Sequence, residues 1–248
     1  MYRICKSIEL ESGHLLSKHP GNCQFPHGHT RSVELVFAAE SLDSHEMVMD
    51  FKAIKEMLGE FLEQFDHALC MNANDPNYEK FREIYGDRII PFEQGDPTSE
   101  AMARVVFEHA AAALKNAQAG NCQFPHGHTR SVELVFAAET LDEHEMVMDF
   151  KAIKEMMGEF LEQFDHALCM NTNDPNYEKF REIYGDRIIP FEQGDPTSEA
   201  MARVVFQHAA AALKNAQAGN STYPVRDCVR LERVRVWETS SSWAEYEE

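Results

Sequence analysis

The chain has 248 residues, of which 44% are apolar, and a net charge of −19 from 42 acidic and 23 basic residues. This length and composition suffice for a globular protein of one or two domains, and the negative charge argues against nucleic acid or an anionic membrane as a partner. The N-terminus lacks the continuous apolar core of a signal peptide and no segment reaches transmembrane length, so we expect a cytoplasmic protein.

Hydrophobic periodicity predicts two strands and a helix in the first part of the chain. Alternate residues from Ile4 to His14 form one face of a first strand, and residues 29–39 alternate in the same way. After Asp50, a favourable N-cap, apolar residues recur every three or four positions up to Phe65. This spacing predicts an amphipathic helix.

The remaining unique patterns predict a second helix and two more strands. Residues 71–97 are rich in Asn, Asp, Pro and Gly and are predicted to be irregular, and a helix then opens at the sequence Asp-Pro-Thr-Ser-Glu and ends at Gly120. The C-terminal sequence VRLERVRVWET predicts a strand with a bulge between Leu231 and Val234, followed by a short strand through Trp243.

The middle of the chain is duplicated. Residues 21–119 recur at 120–218 with five differences, whereas both ends of the chain occur once. We therefore divide the chain into 1–120, the N-terminal strand plus the first copy, and 121–248, the second copy plus the C-terminal strands. With one copy removed, the pattern predicts an α+β fold: an antiparallel sheet with paired helices on one face, whose central strand-helix-helix unit is duplicated.

Three histidines form a candidate metal site. His27 and His29 point to one face of the second strand, and His14 lies on the matching face of the first. A hairpin would bring the three imidazoles together, and three His ligands with one open position are typical of catalytic zinc. The alternative is a turn with two hydrogen-bonded histidines. Because local pairing closes a shorter loop, we expect His14 to join the first-copy pair.

Other residues could move protons or bind a ligand. Cys23 lies four residues before His27, where a cation would favour its thiolate as a base or nucleophile, and its rival role is that of a zinc ligand. Asp66 and His67 form either an acid/base pair or a surface His that caps a helix end. Glu238 ends an apolar strand, where an amide-like or cationic ligand, or a salt bridge, would satisfy its carboxylate. The HExxH, GxGxxG and GxSxG signatures are absent.

Taken in order, these motifs resemble the 6-pyruvoyltetrahydropterin synthase family over essentially the whole chain. The motifs are His14, Cys23-x-x-x-His27-Gly-His29, Met49-Asp50-Phe51, Asp66-His67, Pro97-Thr98-x-Glu100, and Trp237-Glu238-Thr239 followed by Trp243 and Tyr246. The spacing of Cys23 is most similar to the bacterial branch of that family, the 6-carboxy-5,6,7,8-tetrahydropterin synthases. The resemblance implies the tunnelling fold, or T-fold.

The resemblance also implies a reaction. Zn²⁺ would be bound by His14, His27 and His29 and would hold and acidify the side-chain hydroxyls of 7,8-dihydroneopterin triphosphate. The products would be 6-carboxytetrahydropterin, acetaldehyde and triphosphate, on the route to queuosine-type modified nucleosides. Family members assemble as trimers or hexamers, so a homo-oligomer is expected.

Roles for the remaining residues follow from the same resemblance. Cys23 would move protons at the substrate side chain, with His67 as its acid/base partner and Asp66 orienting that His. Glu238 would accept hydrogen bonds from the amino and ring N–H edge of the pterin. The pterin pocket would also be lined by Thr98 and Glu100.

The second copy repeats this chemistry only in part. It supplies a second set of catalytic candidates and a partial metal set, namely Cys122, Asp165 and His166, and His126 and His128. The position equivalent to His14 is Ala113, so the second copy lacks the third histidine of a catalytic zinc site. Two alternatives stay open: pyruvoyl-forming activity on the same substrate, and a catalytically impaired pterin- or metal-binding module.

Overall fold

A computed structural model describes most of the chain and divides it into two compact units. The described residues are 1–114 and 129–248. Among them, the first unit comprises 6–35 and 49–114, and the second comprises 1–5, 36–48 and 129–248. The proposed division at residue 120 and the predicted helix end at Gly120 lie outside the described residues.

The first copy and the N-terminus form four strands and three helices within the described residues. These are β1 (Tyr2–His14), β2 (His27–Ala39), α1 (Phe51–Glu63), β3 (Ala68–Asn72), α2 (Tyr78–Tyr85), β4 (Ile89–Phe92) and α3 (Ser99–Leu114). The two predicted strands are confirmed, and β2 pairs with β1. The His-Gly-His sequence opens β2 and therefore belongs to a strand instead of a turn.

Helix α1 begins where the sequence predicts. The Asp50 carboxylate accepts a hydrogen bond at 2.6 Å from the backbone N–H of Lys52, which satisfies one of the free donors of the first turn. Ile54, Leu58 and Leu62 lie on one face and are buried. The helix is therefore held by its apolar face, as the three- and four-residue spacing predicts.

The prediction that residues 71–97 are irregular is wrong. They contain the end of β3, helix α2 and strand β4, and β3 pairs in parallel with both β4 and residues Ser12–His14 of β1. Met71 and Ile89 are buried with Leu15 in a small apolar cluster. Strands of four or five residues between Asn, Asp and Gly turns give too short an apolar pattern for periodicity to detect.

The second copy and the C-terminus form five strands and three helices within the described residues. These are β5 (Ser131–Ala137), α4 (Phe150–Glu162), β6 (Leu168–Asn171), α5 (Tyr177–Tyr184), β7 (Ile188–Phe191), α6 (Ser198–Gln217), β8 (Arg230–Thr239) and β9 (Ser242–Tyr246). Strand β8 pairs antiparallel with β5 and β9, and β6 pairs in parallel with β7. Val135 faces Arg233 while Phe136 faces Leu231, which confirms the predicted bulge.

The core of the second unit lies between α6 and the strands β8 and β9. Val205 and Phe206 of α6 are buried against Val234 and Val236 of β8, and the Phe206 ring meets the Tyr246 ring edge-to-face at 5.2 Å between centroids. Backbone hydrogen bonds between Met1 and Glu247 place the start of β1 beside β9. The C-terminal strands thus form the sheet on which the second-copy helix packs.

The fold class is α+β, as predicted, with strands that are both antiparallel and parallel. The antiparallel pairs involve the C-terminal strands, and the parallel pairs involve the short strands that periodicity misses. No helix within residues 1–114 and 129–248 is long and apolar enough to cross a membrane.

Candidate active site

Three histidines meet where β1 ends and β2 begins. The ring centroid of His14 lies 4.5 Å from that of His27 and 5.1 Å from that of His29, and the last two are 4.9 Å apart. One ring nitrogen from each can be chosen so that all three lie within 4.8 Å of one another. This group could hold a metal ion, and it forms with the first-copy pair.

Strand alternation explains why these side chains converge. Ser12 and His14 share the buried side of β1, while His27 and His29 are two residues apart on β2. Gly13 lies between the two buried positions, and a Cβ atom there would come within 3.2 Å of Leu69 on β3. The glycine therefore allows β3 to approach β1 closely at the end that carries His14.

Backbone carbonyls fix two of the imidazole rings. The Nδ1 atom of His14 lies 2.7 Å from the Pro97 carbonyl oxygen, and that of His27 lies 2.8 Å from the Phe25 carbonyl oxygen. A carbonyl can only accept, so each Nδ1 carries a proton, and in the neutral ring the Nε2 atom keeps a lone pair. This tautomer leaves Nε2 available to a metal, and carbonyl partners of this kind are typical of metal-binding histidines.

Burial keeps His14 in the form that binds a metal. Its side chain is 5% exposed, and desolvation lowers the pKa of His14, against the opposing effect of its hydrogen bond to the Pro97 carbonyl. The neutral ring therefore prevails at neutral pH. The structure thus fits the donor set of a three-histidine metal site.

The loop that carries Pro97 is anchored by Asp96. The Asp96 carboxylate accepts hydrogen bonds from the Ser17 hydroxyl at 2.8 Å, the Lys18 backbone N–H at 2.9 Å and the Asn72 side-chain amide at 2.9 Å. Three elements are tied together by this carboxylate. It therefore holds in place the carbonyl oxygen that orients His14.

Cys23 lies in the short turn between the two strands that carry the histidines. It is half-buried within the 3₁₀ turn Asn22–Gln24, and its carbonyl oxygen accepts a 2.8 Å hydrogen bond from the backbone N–H of Leu16. The group of mutually close potential metal ligands in the described residues contains the three histidines and does not include Cys23. Among the described residues, the cluster is therefore formed by histidines alone.

Asp66 and His67 form a hydrogen-bonded pair fixed to β1. The Asp66 Oδ2 atom lies 2.8 Å from the ring atom Nδ1 of His67. The Asp66 Oδ1 atom accepts a hydrogen bond from the backbone N–H of Glu11 at 2.8 Å, and the backbone N–H of His67 donates to the Glu11 carbonyl at 2.6 Å. His67 has a φ of 54°, a left-handed conformation that is unusual for a non-glycine residue. The hydrogen bond from Glu11, and then the His67 contact, lower the pKa of Asp66.

A cleft opens beside the histidine cluster. Its volume is about 350 Å³, and its lining residues are Glu11, Ser12, Gly13, Gly28, His29 and Thr30. The Thr30 hydroxyl donates a 2.8 Å hydrogen bond to the Glu11 carboxylate across this cleft. A polar molecule in the cleft would contact His29 of the histidine cluster and the hydrogen-bonding side chains of Glu11 and Thr30.

Glu238 lies with second-copy residues of the second unit. The Ser198 hydroxyl donates to its Oε2 atom at 3.1 Å, and Glu199, which is 3% exposed, lies close enough for the charge of Glu238 to act on it. Burial raises the pKa of Glu199 to about 7, and the backbone N–H of Val48, which donates to it at 3.0 Å, opposes that shift. The sequence patterns did not single out Glu199, although it is the second-copy equivalent of Glu100, 99 residues further along the chain.

The first-copy equivalent of Glu199 is Glu100, and the surroundings of the two carboxylates differ. Thr98 caps α3 by accepting a hydrogen bond from the Ala101 N–H at 3.2 Å, and Glu100 is exposed. A hydrogen bond from its own backbone N–H, and then one from the Thr98 side chain, lower the pKa of Glu100. Thr98 and Glu100 thus follow, by one and three residues, Pro97, whose carbonyl oxygen contacts the His14 ring.

Among the second-copy candidates, Asp165 and His166 are described. His166 Nδ1 lies 3.0 Å from Asp165 Oδ1, and His166 has the same φ of 54° as His67. Both side chains are largely exposed, at 76% for Asp165 and 86% for His166. The other second-copy candidates, Cys122, His126 and His128, lie outside the described residues.

The sequence matches a known enzyme family twice. The family model for 6-pyruvoyl tetrahydropterin synthase matches residues 3–120 and again residues 110–248. An α+β chain with a histidine cluster and this double match is a pterin synthase of T-fold architecture with an internal duplication. The chain belongs to the 6-pyruvoyl tetrahydropterin synthase family.

The chain is similar to several proteins that carry the name of one branch of this family. The 6-carboxy-5,6,7,8-tetrahydropterin synthase of Aquifex aeolicus is 30% identical over 148 residues, which cover 58% of this chain and 86% of that protein. The enzyme of the same name from Rickettsia conorii is 34% identical over 104 residues, covering 42% of this chain and 75% of that protein. A solved Plasmodium falciparum 6-pyruvoyl tetrahydropterin synthase aligns over 100% of this chain and 99% of its own at 10% identity, but a TM-score of 0.23 is too low to support an argument.

Proposed function

We propose that the protein is a zinc-dependent 6-carboxy-5,6,7,8-tetrahydropterin synthase. Its substrate is 7,8-dihydroneopterin triphosphate, and its products are 6-carboxytetrahydropterin, acetaldehyde and triphosphate. The observation that carries the proposal is the cluster of His14, His27 and His29 at the joined ends of β1 and β2. The relatives from Aquifex and Rickettsia, whose names state this activity, support the choice of reaction.

The three histidines would hold the metal through one ring nitrogen each. Hydrogen bonds from Nδ1 to the Pro97 and Phe25 carbonyls fix the rings of His14 and His27 before any metal binds. Zinc, when bound, supplies a Lewis acid that polarises the side-chain hydroxyls of the substrate. Preformed ring orientations reduce the entropy lost on binding both the metal and the substrate.

Cys23 and the Asp66–His67 pair transfer the protons. Cys23 lies on the turn that joins the metal-binding strands, so its thiol accompanies the histidines and can accept a proton from the substrate side chain. Asp66 is ionised, because hydrogen bonds lower its pKa, and it accepts a hydrogen bond from Nδ1 of His67. The Nε2 atom of His67 is then the proton-exchanging end, as in other Asp-His pairs.

Glu238 anchors the pterin ring. A carboxylate suits the adjacent amino and N–H donors of the pterin, because both of its oxygens can accept hydrogen bonds in parallel. Ser198 hydrogen-bonds one of those oxygens and so holds the carboxylate in one orientation. Thr98 and Glu100 stay predicted pocket residues.

The second copy serves the fold more than the reaction. Ala113 stands where a second His14 would be needed, so His126 and His128 have no equivalent of His14. Cys122, Asp165 and His166 therefore act as remnants of the duplication. We further propose that the protein is cytoplasmic, forms a homo-oligomer and works on the route to queuosine-type nucleosides.

The proposal is tested by incubating the zinc-loaded protein with 7,8-dihydroneopterin triphosphate and assaying both acetaldehyde and the pterin products. Release of acetaldehyde together with 6-carboxytetrahydropterin is the expected result. A pyruvoyl-tetrahydropterin product would instead assign the protein to the other activity of its family. Tight binding of the pterin without turnover would show a catalytically impaired binding module.

A further inference from the structure

The loop that carries Glu46 packs against the start of α6 within the second unit. This loop comprises residues 43–48 and is here called the first loop. The hydroxyl of Thr197, the N-cap of α6, donates a hydrogen bond to the Glu46 carbonyl oxygen at 2.6 Å. The backbone N–H of Val48 donates to the Glu199 carboxylate at 3.0 Å. Two backbone groups of the loop are thus bound by the cap and the first turn of the helix.

An ion pair joins the Glu46 side chain to the same helix. The Glu46 carboxylate lies 3.2 Å from the Arg203 guanidinium, and the two side chains are 22% and 16% exposed. Water screens such a half-buried pair less than it screens a pair on the open surface, so the attraction is stronger here. Gly194 lies against the Glu46 side chain, where a Cβ atom would clash with Glu46 Cγ. The ion pair therefore depends on a glycine at this position.

The start of α6 also carries the group that orients Glu238. Ser198 follows the N-cap Thr197 directly, and its side chain is buried. The Ser198 hydroxyl donates a hydrogen bond at 3.1 Å to the Oε2 atom of Glu238. Because consecutive residues at a helix start move together, a shift of Thr197 also shifts this hydrogen bond. Glu46 is thus connected to Glu238 through two adjacent residues of α6.

The equivalent glutamate of the second copy, Glu145, lies in a different environment. It has the backbone conformation of Glu46, with φ values of 60° and 59° respectively. Its side chain is exposed, however, and its loop is held by Arg226, which donates to the carbonyl oxygens of Met146 and Val147 at 3.4 Å. The two glutamates therefore share their backbone conformation but differ in what they contact. Glu145 is consequently a matched control for substitutions of Glu46.

We propose that Glu46 is a positioning residue for the carboxylate of Glu238. This inference rests on the proposed function, in which Glu238 binds the pterin ring. The ion pair between Glu46 and Arg203 fixes the start of α6, and Ser198 at that start holds Glu238 in one orientation. A carboxylate that is already oriented loses less rotamer freedom when it binds the ring. Glu46 thus strengthens ring binding through the helix instead of through contact with the ring.

Substitution of Glu46 tests this proposal through binding of the pterin ring. The probe is neopterin, which has the pterin ring but no triphosphate, and its dissociation constant is measured by isothermal titration calorimetry. Glu46→Gln keeps the size of the side chain and removes its charge, and we expect the dissociation constant to rise by about 3- to 30-fold. Glu145→Gln makes the same change in the second copy and should alter the constant by less than about twofold.

Arg203 provides a second test from the other side of the ion pair. Arg203→Gln should weaken neopterin binding about as much as Glu46→Gln does, whereas Arg203→Lys keeps the positive charge and should retain most of the affinity. The first-copy equivalent of Arg203 is the exposed Arg104, so Arg104→Gln is the matched control and should leave binding unchanged. Urea denaturation checks that each variant is folded.

A double-mutant cycle with Ser198 distinguishes positioning from a general loss of stability. Ser198→Ala removes the hydroxyl that links the start of α6 to Glu238. Because Glu46 acts through this hydroxyl, Glu46→Gln should raise the dissociation constant by less than about twofold in the Ser198→Ala background. Losses from two independent causes would multiply instead.

Three results would overturn the inference alone. They are equal affinities of the original chain and Glu46→Gln, equal losses from Glu46→Gln and Glu145→Gln, and multiplied losses in the Ser198→Ala background. If the original chain did not bind neopterin, the proposed role of Glu238 would be wrong, and the inference with it. Failure of the inference and failure of the proposed function are therefore distinguishable.

Discussion

The sequence Pro-Thr-Ser-Glu-Ala occurs twice, with identical residues in contrasting environments. In the first copy, Ser99 and Glu100 are exposed at the start of α3, whereas in the second copy Ser198 and Glu199 are each 3% exposed at the start of α6. The pKa of Glu100 is lowered by hydrogen bonds, whereas burial raises the pKa of Glu199 to about 7. Local sequence therefore does not determine the chemistry of these carboxylates.

The unique ends of the chain create this difference. Most of β1 lies in the first unit, where it supplies His14 and binds Asp66 through the backbone of Glu11. Strands β8 and β9 lie in the second unit, where they cover α6 and place Glu238 beside Ser198. Strand β1 thus brings His14 to the first copy, and strand β8 brings Glu238 to the second copy.

We expect the largest difference in turnover between substitutions of the two equivalent cysteines, Cys23 and Cys122. We expect Cys23→Ala to lower the turnover number by about 100- to 10,000-fold, the usual contribution of a positioned proton-transfer group, while zinc stays bound. Cys122→Ala, in the identical sequence, should change turnover by less than about twofold, since its copy has no His14. Steady-state kinetics with metal analysis measure both. Equal losses from the two variants would contradict the assignment of the working site to the first copy.

The two glutamates should respond oppositely to pH. The folded-state pKa of Glu199 is raised to about 7 from an ordinary 4.5, so the folded state binds its proton more tightly and loses stability as the pH rises between these values. We expect the stability of the original chain, relative to Glu199→Gln, to fall by about 3 kcal/mol from pH 4 to pH 8, measured by urea denaturation.

Glu100→Gln is the matched control for this pH dependence. The pKa of Glu100 is lowered, so its stabilising contribution is present above the ordinary pKa and is lost on acidification. The stability of the original chain relative to this variant should therefore rise with pH. A fall of similar size for both variants would show that the two carboxylates share one environment.

We expect the smallest difference, in the free energy of unfolding, between alanine substitutions of the equivalent glycines Gly95 and Gly194. Gly95 and Gly194 have φ values of 136° and 128°, so an alanine at either position carries a similar backbone penalty. A Cβ atom at Gly194 would also clash with the Glu46 side chain, whereas one at Gly95 would meet nothing within 4 Å. We therefore expect Gly194→Ala to cost about 1 kcal/mol more than Gly95→Ala in urea denaturation. Equal losses would show that Glu46 does not depend on the space above Gly194.

Periodicity predicted the long elements and the geometry of the metal-type cluster. The alternation along β1 and β2 placed His14, His27 and His29 on facing sides, and the bulge in β8 followed from the phase change after Leu231. These features are local, because each depends on one strand or on one pair of neighbouring strands.

The features that sequence reasoning missed depend on tertiary contacts. The short strands β3 and β4 are defined by parallel pairing, which local propensity does not encode. Glu199 accepts a hydrogen bond from the backbone N–H of Val48, 151 residues away along the chain, and its neighbour Ser198 donates to Glu238, 40 residues away. Two nearly identical copies make such long-range choices especially hard to predict, because the competing pairings use almost the same residues.

The central claim is that duplication has left one complete metal site per chain. It is tested most directly by measuring zinc per chain after dialysis against a weak chelator, with His27→Ala and His126→Ala as a matched pair. We predict one retained equivalent in the original chain and in His126→Ala, and loss of that equivalent in His27→Ala. Two retained equivalents in the original chain, or almost none, would contradict this account.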